Sequence, residues 1–274
     1  MSSVIAIYRD ACFSPNSVAA DRSIMDATID RLGQHQVLAI AEHELGEQHR
    51  ADLFLSMGRL PRTIQLLKAR EQQDRALVIN NAAALERFSR RHILQMMQEN
   101  GIPTPPETGE HGYWVKRADS AAQTKADVVF CSDKATVEQT KRNFALRGVN
   151  DVVISAHVVG DLIKFYGVGD SFFWYFYPTD NGHSKFGNEK RNGIAQHFGF
   201  NLSELRAMAT RLARLTGIDV YGGDCIVDCE GRFSIIDFND WPSFSPCREQ
   251  AADAISLFVN QLLAAQNNSQ QKNG

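Results

Sequence analysis

The chain has 274 residues, of which 43% are hydrophobic and 22% charged, and its formal net charge is −3. This is the composition of a globular protein, and the length suffices for one large domain or two to three smaller lobes. The charge gives no indication of a nucleic-acid or anionic-membrane partner. No apolar run approaches the roughly 18 residues of a transmembrane helix.

The cysteines and the first residues of the chain indicate the cellular compartment. The five cysteines are scattered and include no CxxC pair, and the opening MSSVIAIYRDACF has too short an apolar run for a signal peptide. We therefore expect a reduced, cytoplasmic protein with incidental thiols. The polar tail AAQNNSQQKNG predicts a frayed C-terminus.

The first eighty residues alternate short apolar runs with amphipathic stretches. The strand-like runs are VIAIY (4–8), VLAI (37–40), DLFLSM (52–57) and ALVIN (76–80). Helical spacing in SVAADRSIMDATIDRLG and PRTIQLLKAREQQ separates them. This alternation predicts a parallel sheet with covering helices.

Ligands of such sheets meet the loops at the carboxyl ends of the strands. Two loops qualify, RDACFSPNS (9–17) and SMGRLPR (56–62). Arg59 and Arg62 in the second loop are candidates for holding an anion, and the alternative is a solvated loop with ordinary surface arginines.

The pattern changes after residue 84. ALERFSRRHILQMMQENG (84–101) predicts one continuous helix that stops at Gly101, and GIPTPPE then forms a rigid extended link, the clearest domain boundary in the sequence. From residue 112, aromatic strand-like runs joined by GD turns predict antiparallel hairpins, with helices near 134–147, 202–216 and 248–265. We expect a parallel α/β lobe followed by an α+β region of antiparallel strands.

The segment DCIVDCEGRFSIID contains two strand patterns around Glu230-Gly231. If these two residues form a tight turn, counting outward places Asp224 opposite Asp237, and Asn239 shares their face. A three-residue loop would shift that count by one.

Directly opposed carboxylates repel each other, so this arrangement needs a cation. Three oxygen-bearing side chains on one face suit Mg²⁺, which takes phosphate oxygens as further ligands. The spacing therefore indicates a metal with a nucleotide phosphate. The alternative is that Asp224, Asp237 and Asp240 only cap or solvate strand ends.

From about residue 84 to 262, the order of these motifs resembles the ATP-grasp superfamily. The resemblance rests on the helix ending in GIPTPP and on YWVKRAD, VVISAHVVGDLIKFYGVGD and YGGDCIV…SIIDFNDWP. It implies Mg-ATP bound between two α+β subdomains behind a Rossmann-like lobe. The implied domains are 1–83 for that lobe, 84–153 for the central subdomain and 154–274 for the C-terminal subdomain with the metal site.

The resemblance also implies the residues of the site. Asp224, Asp237 and Asn239 would bind the metal. The implied ATP-binding residues are Arg90, which replaces the lysine of many relatives, Lys116, the hinge residues Ile154, Ser155, Ala156, His157 and Val158, and Lys164 and Ile236. Lys116, Lys164 and Arg191 are the candidate catalytic residues. The alternatives are a surface lysine at 116, a snorkelling lysine at 164 and a structural histidine at 157.

Two loops depart from the family pattern or lie outside its motifs. RADSAAQTKAD after Lys116 has no glycine, although small Ser120, Ala121 and Ala122 would still let backbone amides approach phosphate. GHSKFGNEKRNG (182–193) carries Lys185, Lys190 and Arg191, and is either a clamp for ATP or an anionic substrate or a solvated loop.

The implied function is an ATP-dependent ligase that joins a carboxylate to an amine through an acylphosphate. The absence of a GxSxG nucleophile motif agrees with such chemistry. The alternative is a small-molecule kinase similar to the inositol tris/tetrakisphosphate kinases; a nucleotide-binding module without catalysis is disfavoured by the complete acid motif. We expect a small-molecule substrate, with a weak indication that it is anionic, and the sequence does not indicate the oligomeric state.

Overall fold

A computed structural model describes residues 1–119, 124–180 and 191–273, and these residues form three sheets and seven α-helices. The strands are β1 (Ser3–Tyr8), β2 (Gln36–Ala41), β3 (Leu53–Ser56), β4 (Leu77–Ile79), β5 (Tyr113–Arg117), β6 (Val128–Cys131), β7 (Val152–Ala156), β8 (Asp161–Val168), β9 (Phe172–Phe176), β10 (Val220–Val227) and β11 (Phe233–Asp240). The helices are α1 (Val18–Asp30), α2 (Pro61–Ala69), α3 (Ala82–Glu86), α4 (Arg90–Glu99), α5 (Lys134–Leu146), α6 (Leu202–Thr216) and α7 (Arg248–Asn273).

The predicted mixture of one parallel and further antiparallel sheets is confirmed. The first sheet is parallel with strand order β2-β1-β3-β4, and its central strands are apolar and buried because helices cover them. The central sheet, β6-β5-β7, and the C-terminal sheet, β11-β10-β8-β9, are antiparallel. Helix α5 covers one face of the central sheet through Val137 and Phe144.

The continuous helix predicted over residues 84–101 is wrong. Helix α3 ends at Glu86 and α4 begins at Arg90. The break lies at Ser89, whose side chain accepts a hydrogen bond from the backbone N–H of His92 at 3.2 Å and thereby caps α4. The cap puts Arg90 in the first turn of α4, where its side chain reaches both neighbouring sheets.

Helix α7 continues to Asn273, so the tail that was predicted to fray has helical backbone. Ala and Gln are good helix formers, and the side-chain amide of Gln266 donates a hydrogen bond to the carbonyl of Arg75 at 2.8 Å. No helix in the described parts of the chain is long and apolar enough to cross a membrane.

The extended link after α4 is hydrogen-bonded to two sheets. The carbonyl of Pro103 accepts from Ile235 of β11 at 2.9 Å, and the carbonyl of Pro106 accepts from Ala156 of β7 at 2.7 Å. Helix α4 packs in the same apolar cluster as Ile235 through Ile93 and Met97. The link therefore holds the central and C-terminal sheets side by side. The division into domains at residues 83/84 and 153/154 stays a prediction.

A buried asparagine joins the parallel sheet to the C-terminal sheet. The side-chain amide of Asn80 donates to the carbonyl of Val220 at 2.8 Å, and its oxygen accepts from the N–H of Val220 at 2.7 Å. Asn80 follows β4, Val220 begins β10, and Asn80 has no exposed surface. The amide thus imitates one step of strand pairing between the two sheets.

We predict that Asn80→Ala lowers the free energy of unfolding by about 2–3 kcal/mol, because it leaves the buried N–H of Val220 without its acceptor. Urea unfolding measures the change. The matched control is Asn143→Ala on the exposed face of α5, which should change stability by no more than about 0.5 kcal/mol. A loss below about 1 kcal/mol for Asn80→Ala would contradict this role.

Candidate functional site

The hairpin of β10 and β11 brings Asp224 opposite Asp237, as predicted, but by a different route. The turn has three residues between Asp228 and Arg232, with Gly231 at φ +79°, where the expected turn had two. A β-bulge then adds Ile236 between the pairs Cys225–Ile235 and Asp224–Asp237. The longer turn and the bulge each shift the register by one residue, so their effects cancel.

The two carboxylates belong to a row of charged side chains across three strands. Lys164 of β8 lies opposite Asp224, which lies opposite Asp237, so all three side chains project from one face of the sheet. The ammonium of Lys164 is 3.5 Å from the carboxylate of Asp224. Gly223 permits this close strand packing, because a Cβ there would lie 2.4 Å from the carbonyl oxygen of Asp237 and from the ring of Phe165.

Asp237 is paired with Arg90, the first residue of α4. One guanidinium nitrogen of Arg90 lies 3.3 and 3.5 Å from the two carboxylate oxygens, and another donates to the carbonyl of Arg117 at 2.7 Å. Burial would raise the pKa of Asp237, but the charges of Arg90 and Lys116 and hydrogen bonds from Arg90 and Asn239 hold it below its usual range. Asp237 is therefore ionised in this setting.

Lys116 approaches the same place from the central sheet. Its ammonium donates a hydrogen bond to the carbonyl of Ile236, the bulge residue of β11, at 2.9 Å. Burial and the charge of Arg90 together lower the pKa of Lys116 to about 8, although the charges of Asp237 and Asp224 oppose the shift. The lysine thus loses its charge about two pH units earlier than an ordinary lysine.

Asp240, one residue beyond Asn239, faces the parallel sheet. Its buried carboxylate is bound by the guanidinium of Arg59, and Arg9 lies 3.9 Å from it. Arg9 also donates to the carbonyl of Trp241 at 3.0 Å and to Asp21 at 3.0 Å. Arg59 therefore holds an anion of this chain, while Arg62 is exposed at the start of α2. These ion pairs attach the end of β11 to the parallel sheet.

An open cleft lies between α4, the central sheet and β11. Its polar wall contains five of the charged or amide side chains described above, and its remaining wall is largely apolar. The charged and amide residues are Arg59, Arg90, Lys116, Asp237 and Asn239; the others are Ser155 and the apolar Phe88, Ile93, Leu94, Met97, Pro105, Val153, Ile235, Ile236 and Phe238. The cleft thus combines a polar wall that carries both positive and negative charges with a largely apolar wall, as ligand sites do.

The apolar wall from α4 is the part of the cleft that sequence reasoning missed. The sequence predicted only a helix here and gave Ile93, Leu94 and Met97 no role in a binding site. The available signal was the apolar spacing of Ile93, Leu94 and Met97, which puts them on one side of α4.

The hinge residues differ in what they face. Ser155 lines the cleft, as does Ile236 of β11 outside the hinge, whereas the side chain of Ile154 packs toward α5 on the opposite face of the central sheet. The backbone N–H groups of Ala156 and His157 donate to the carbonyls of Pro106 and Gly112 at 2.7 and 2.8 Å, so both donors are used within the chain.

The remaining candidates lie beside the cleft or outside the described residues. The carbonyl of Val158 accepts from the amide of Asn192 at 3.2 Å. Arg191 lies over the rings of Phe130 and Trp114 and away from the charged row. Ser120, Ala121, Ala122, Lys185 and Lys190 fall outside the described residues.

Comparison with known proteins gives a fold but no sequence relative. No model of a protein family matches the sequence, and no curated protein matches it. Similar solved structures include a RimK-domain ATP-grasp protein from Sphaerobacter thermophilus, with a TM-score of 0.62 at 15% identity over 93% of this chain and 99% of that one. A D-alanine–D-alanine ligase from Bacillus anthracis, complexed with ATP, has a TM-score of 0.66 at 12% identity over 100% of both chains.

A D-cycloserine synthetase is similar to the same degree, with a TM-score of 0.61 at 14% identity over 93% of this chain and 99% of that one. Together these similarities show that the chain has the ATP-grasp fold.

Asp224, Asp237 and Asn239, the predicted metal ligands, offer oxygen donors for a divalent cation. Among the described residues, no group of three or more His, Cys, Asp or Glu is placed to hold a metal, and the predicted set consists of two carboxylates and one amide. Such oxygen donors suit Mg²⁺ when phosphate and water complete the shell. The buried Nε of Arg90 has no hydrogen-bond partner among those residues, which fits a further anion beside Asp237.

We predict that the Lys116 ammonium titrates near pH 8. Asp237→Asn should lower that pKa further because it removes an attracting charge, and Arg90→Gln should raise it because it removes a repelling one. Acetylation of Lys116 by acetic anhydride, followed by mass spectrometry across pH 6–10, measures the titration. Half-maximal reactivity above about pH 10 in the unsubstituted protein, or shifts of the opposite sign in the two variants, would contradict the electrostatic account.

Proposed function

We propose that the protein is an ATP-dependent ligase that joins a carboxylate to an amine through an acylphosphate. One observation carries the proposal: Asp237, Arg90 and Lys116 line one cleft between two sheets. Asp237 is also the end of the row Lys164–Asp224–Asp237, although Lys164 and Asp224 do not line the cleft. The fold supports it, because solved structures that share the fold include a D-alanine–D-alanine ligase and a D-cycloserine synthetase.

The proposed roles follow from the chemistry of each side chain. Asp224, Asp237 and Asn239 would hold Mg²⁺, which when bound neutralises phosphate charge and orients phosphate oxygens. Arg90 presents a planar set of donors suited to phosphate, and Lys116 a point charge. Without a ligand, Lys116 loses its proton near pH 8. A negatively charged phosphate would raise the pKa of Lys116 and keep the ammonium charged.

Ser155 and Ile236 line the part of the cleft where the nucleoside would lie. Within this proposal, residues 84–153 and 154–274 are the two subdomains that enclose Mg-ATP, and residues 1–83 contribute to binding a small-molecule substrate. The ion pairs of Asp240 with Arg59 and Arg9 would hold that lobe at the edge of the cleft.

The proposed reaction has two steps. A carboxylate oxygen attacks the γ-phosphorus, the bond to the β–γ bridging oxygen breaks, and ADP leaves with the electron pair. The amine then attacks the acyl carbon, the bond from that carbon to the phosphate oxygen breaks, and phosphate leaves while the amine nitrogen transfers a proton to it. The protein positions the reactants and stabilises charge, and no protein nucleophile is needed.

The products separate this ligase from the alternative kinase. The kinase would transfer the same phosphoryl group to a hydroxyl and release ADP without inorganic phosphate. The test incubates the protein with Mg-ATP, pools of ¹⁸O-labelled carboxylic acids and pools of amines, and separately with inositol phosphates. Ligation predicts inorganic phosphate that carries ¹⁸O from the acid and depends on the amine. ADP with a phosphorylated alcohol and no inorganic phosphate would favour the kinase.

We predict that Asp237→Asn lowers the rate by at least about 100-fold, because it removes a metal ligand and the counter-charge of Arg90 and Lys116. The rate of ADP formation measures the effect, and a melting curve verifies that the variant folds. The matched control is Asp170→Asn, whose carboxylate is exposed and pairs with Arg214 away from the cleft. A rate for Asp237→Asn equal to that of the control would remove Asp237 from the mechanism.

A further inference from the structure

Three rings form an aromatic box beside the cleft. The box consists of Trp114 of β5, Phe130 of β6 and His157, which follows β7. Ring centroids lie 5.4 Å apart for Trp114–Phe130, 5.6 Å for Phe130–His157 and 6.0 Å for Trp114–His157, and each pair meets edge to face. The indole N–H of Trp114 donates to Nδ1 of His157 at 3.1 Å, which fixes the orientation of both rings.

The box opens on the same face of the central sheet as the charged part of the cleft. Trp114 and Lys116 are two residues apart on β5, so their side chains project from one face. Their partners on β7 are Ser155 for Trp114 and Val153 for Lys116, and both partners line the cleft. The box is therefore about two residues of extended strand, roughly 7 Å, from the lysine proposed to bind phosphate.

Arg191 occupies this box. Its guanidinium carbon lies 3.4 Å from the ring centroid of Phe130 and 5.9 Å from that of Trp114. A separation of 3.4 Å is a van der Waals contact between carbon atoms, so the planar guanidinium lies where a flat ring would stack. Burial, Arg191 and His111 lower the pKa of His157, which keeps its imidazole neutral beside the cation.

We propose that the guanidinium of Arg191 occupies the position on Phe130 where the base of a bound nucleotide would stack, which we call the seat of the nucleobase. The inference rests on the proposed nucleotide site: aromatic rings bind the faces of bases, and this box is placed at the cleft next to Lys116. The guanidinium of Arg191 and a base cannot both stack on Phe130, so nucleotide binding requires Arg191 to leave. This assigns Arg191 a role in controlling affinity, in place of the catalytic contact expected from the sequence.

The exposure of Arg191 indicates that its contact with the box is weak. Arg191 is an exposed residue, and cation–π contacts at exposed sites contribute less than those removed from water. The neighbouring Asn192 is held more firmly, because it donates a hydrogen bond to the carbonyl of Val158 at 3.2 Å and forms a side-chain hydrogen bond with His157. The cost of releasing Arg191 is therefore small compared with the free energy of ordinary nucleotide binding.

The test compares three ligands without catalysis, by isothermal titration calorimetry: Mg-ATP, adenosine and inorganic triphosphate with Mg²⁺. In the Arg191→Ala variant no side chain covers Phe130, so all of the protein can accept a base. The Kd of ATP and the Kd of adenosine should therefore fall by the same factor, between about 3-fold and about 30-fold. Triphosphate has no base, so its Kd should not change. Arg191→Lys retains the charge without the planar group and should give a smaller tightening.

The control for net charge is Arg142→Ala on the exposed side of α5, which should leave all three values of Kd unchanged. Weaker or unchanged binding of ATP and adenosine to Arg191→Ala would overturn the competition, and weaker triphosphate binding would instead show that Arg191 contacts phosphate. If ATP and adenosine bind neither to the unsubstituted protein nor to Arg191→Ala, the proposed nucleotide site fails and the competition fails with it.

Discussion

The structure depends on the direct opposition of two carboxylates, Asp224 and Asp237, across neighbouring strands. Like charges at this separation repel, and removing them from water adds a desolvation cost. The chain meets this cost with cations from three different elements: Lys164 from β8, Arg90 from α4 and Lys116 from β5. Because Lys116 belongs to the central sheet and Arg90 also bonds the carbonyl of Arg117 there, the acid pair links the central and C-terminal sheets.

The same compensation explains several features away from the acid pair. Arg90 bonds both the carbonyl of Arg117 and the carboxylate of Asp237, so the cap at Ser89 that starts α4 also positions a cation of the site. At the far end of β11, Asp240 is neutralised separately by Arg59 and Arg9 from the parallel sheet. The site is thus assembled from all three sheets. The C-terminal sheet contributes the charged row from strand interiors, the central sheet contributes Lys116, and Arg59 comes from the loop after β3 of the parallel sheet.

The sequence predicted the strands well because alternating apolar patterns are local, and it predicted the acid pair through a count along one hairpin. That count succeeded because the longer turn and the bulge at Ile236 cancel, which no spacing rule reveals. The break between α3 and α4 at Ser89 was not predicted, because the apolar pattern continues across it. The start of α4 depends on one side-chain hydrogen bond, from the N–H of His92 to Ser89. The position of Arg191 over Phe130 was not predicted, because it depends on strand register and on three rings that are distant in sequence. Long-range pairings such as Asn80 with Val220 leave no local signal at all.

The central claim is that a divalent ion, together with nucleotide phosphate, binds to Asp224, Asp237 and Asn239. Its most direct measurement is the electron paramagnetic resonance signal of free Mn²⁺, an ion that accepts the same oxygen ligands as Mg²⁺, titrated against protein and a non-hydrolysable ATP analogue. The account predicts that protein and analogue together remove more Mn²⁺ from solution than the sum of each alone, and that Asp224→Asn abolishes the excess. Binding equal to that sum, or an excess that persists in Asp224→Asn, would contradict it.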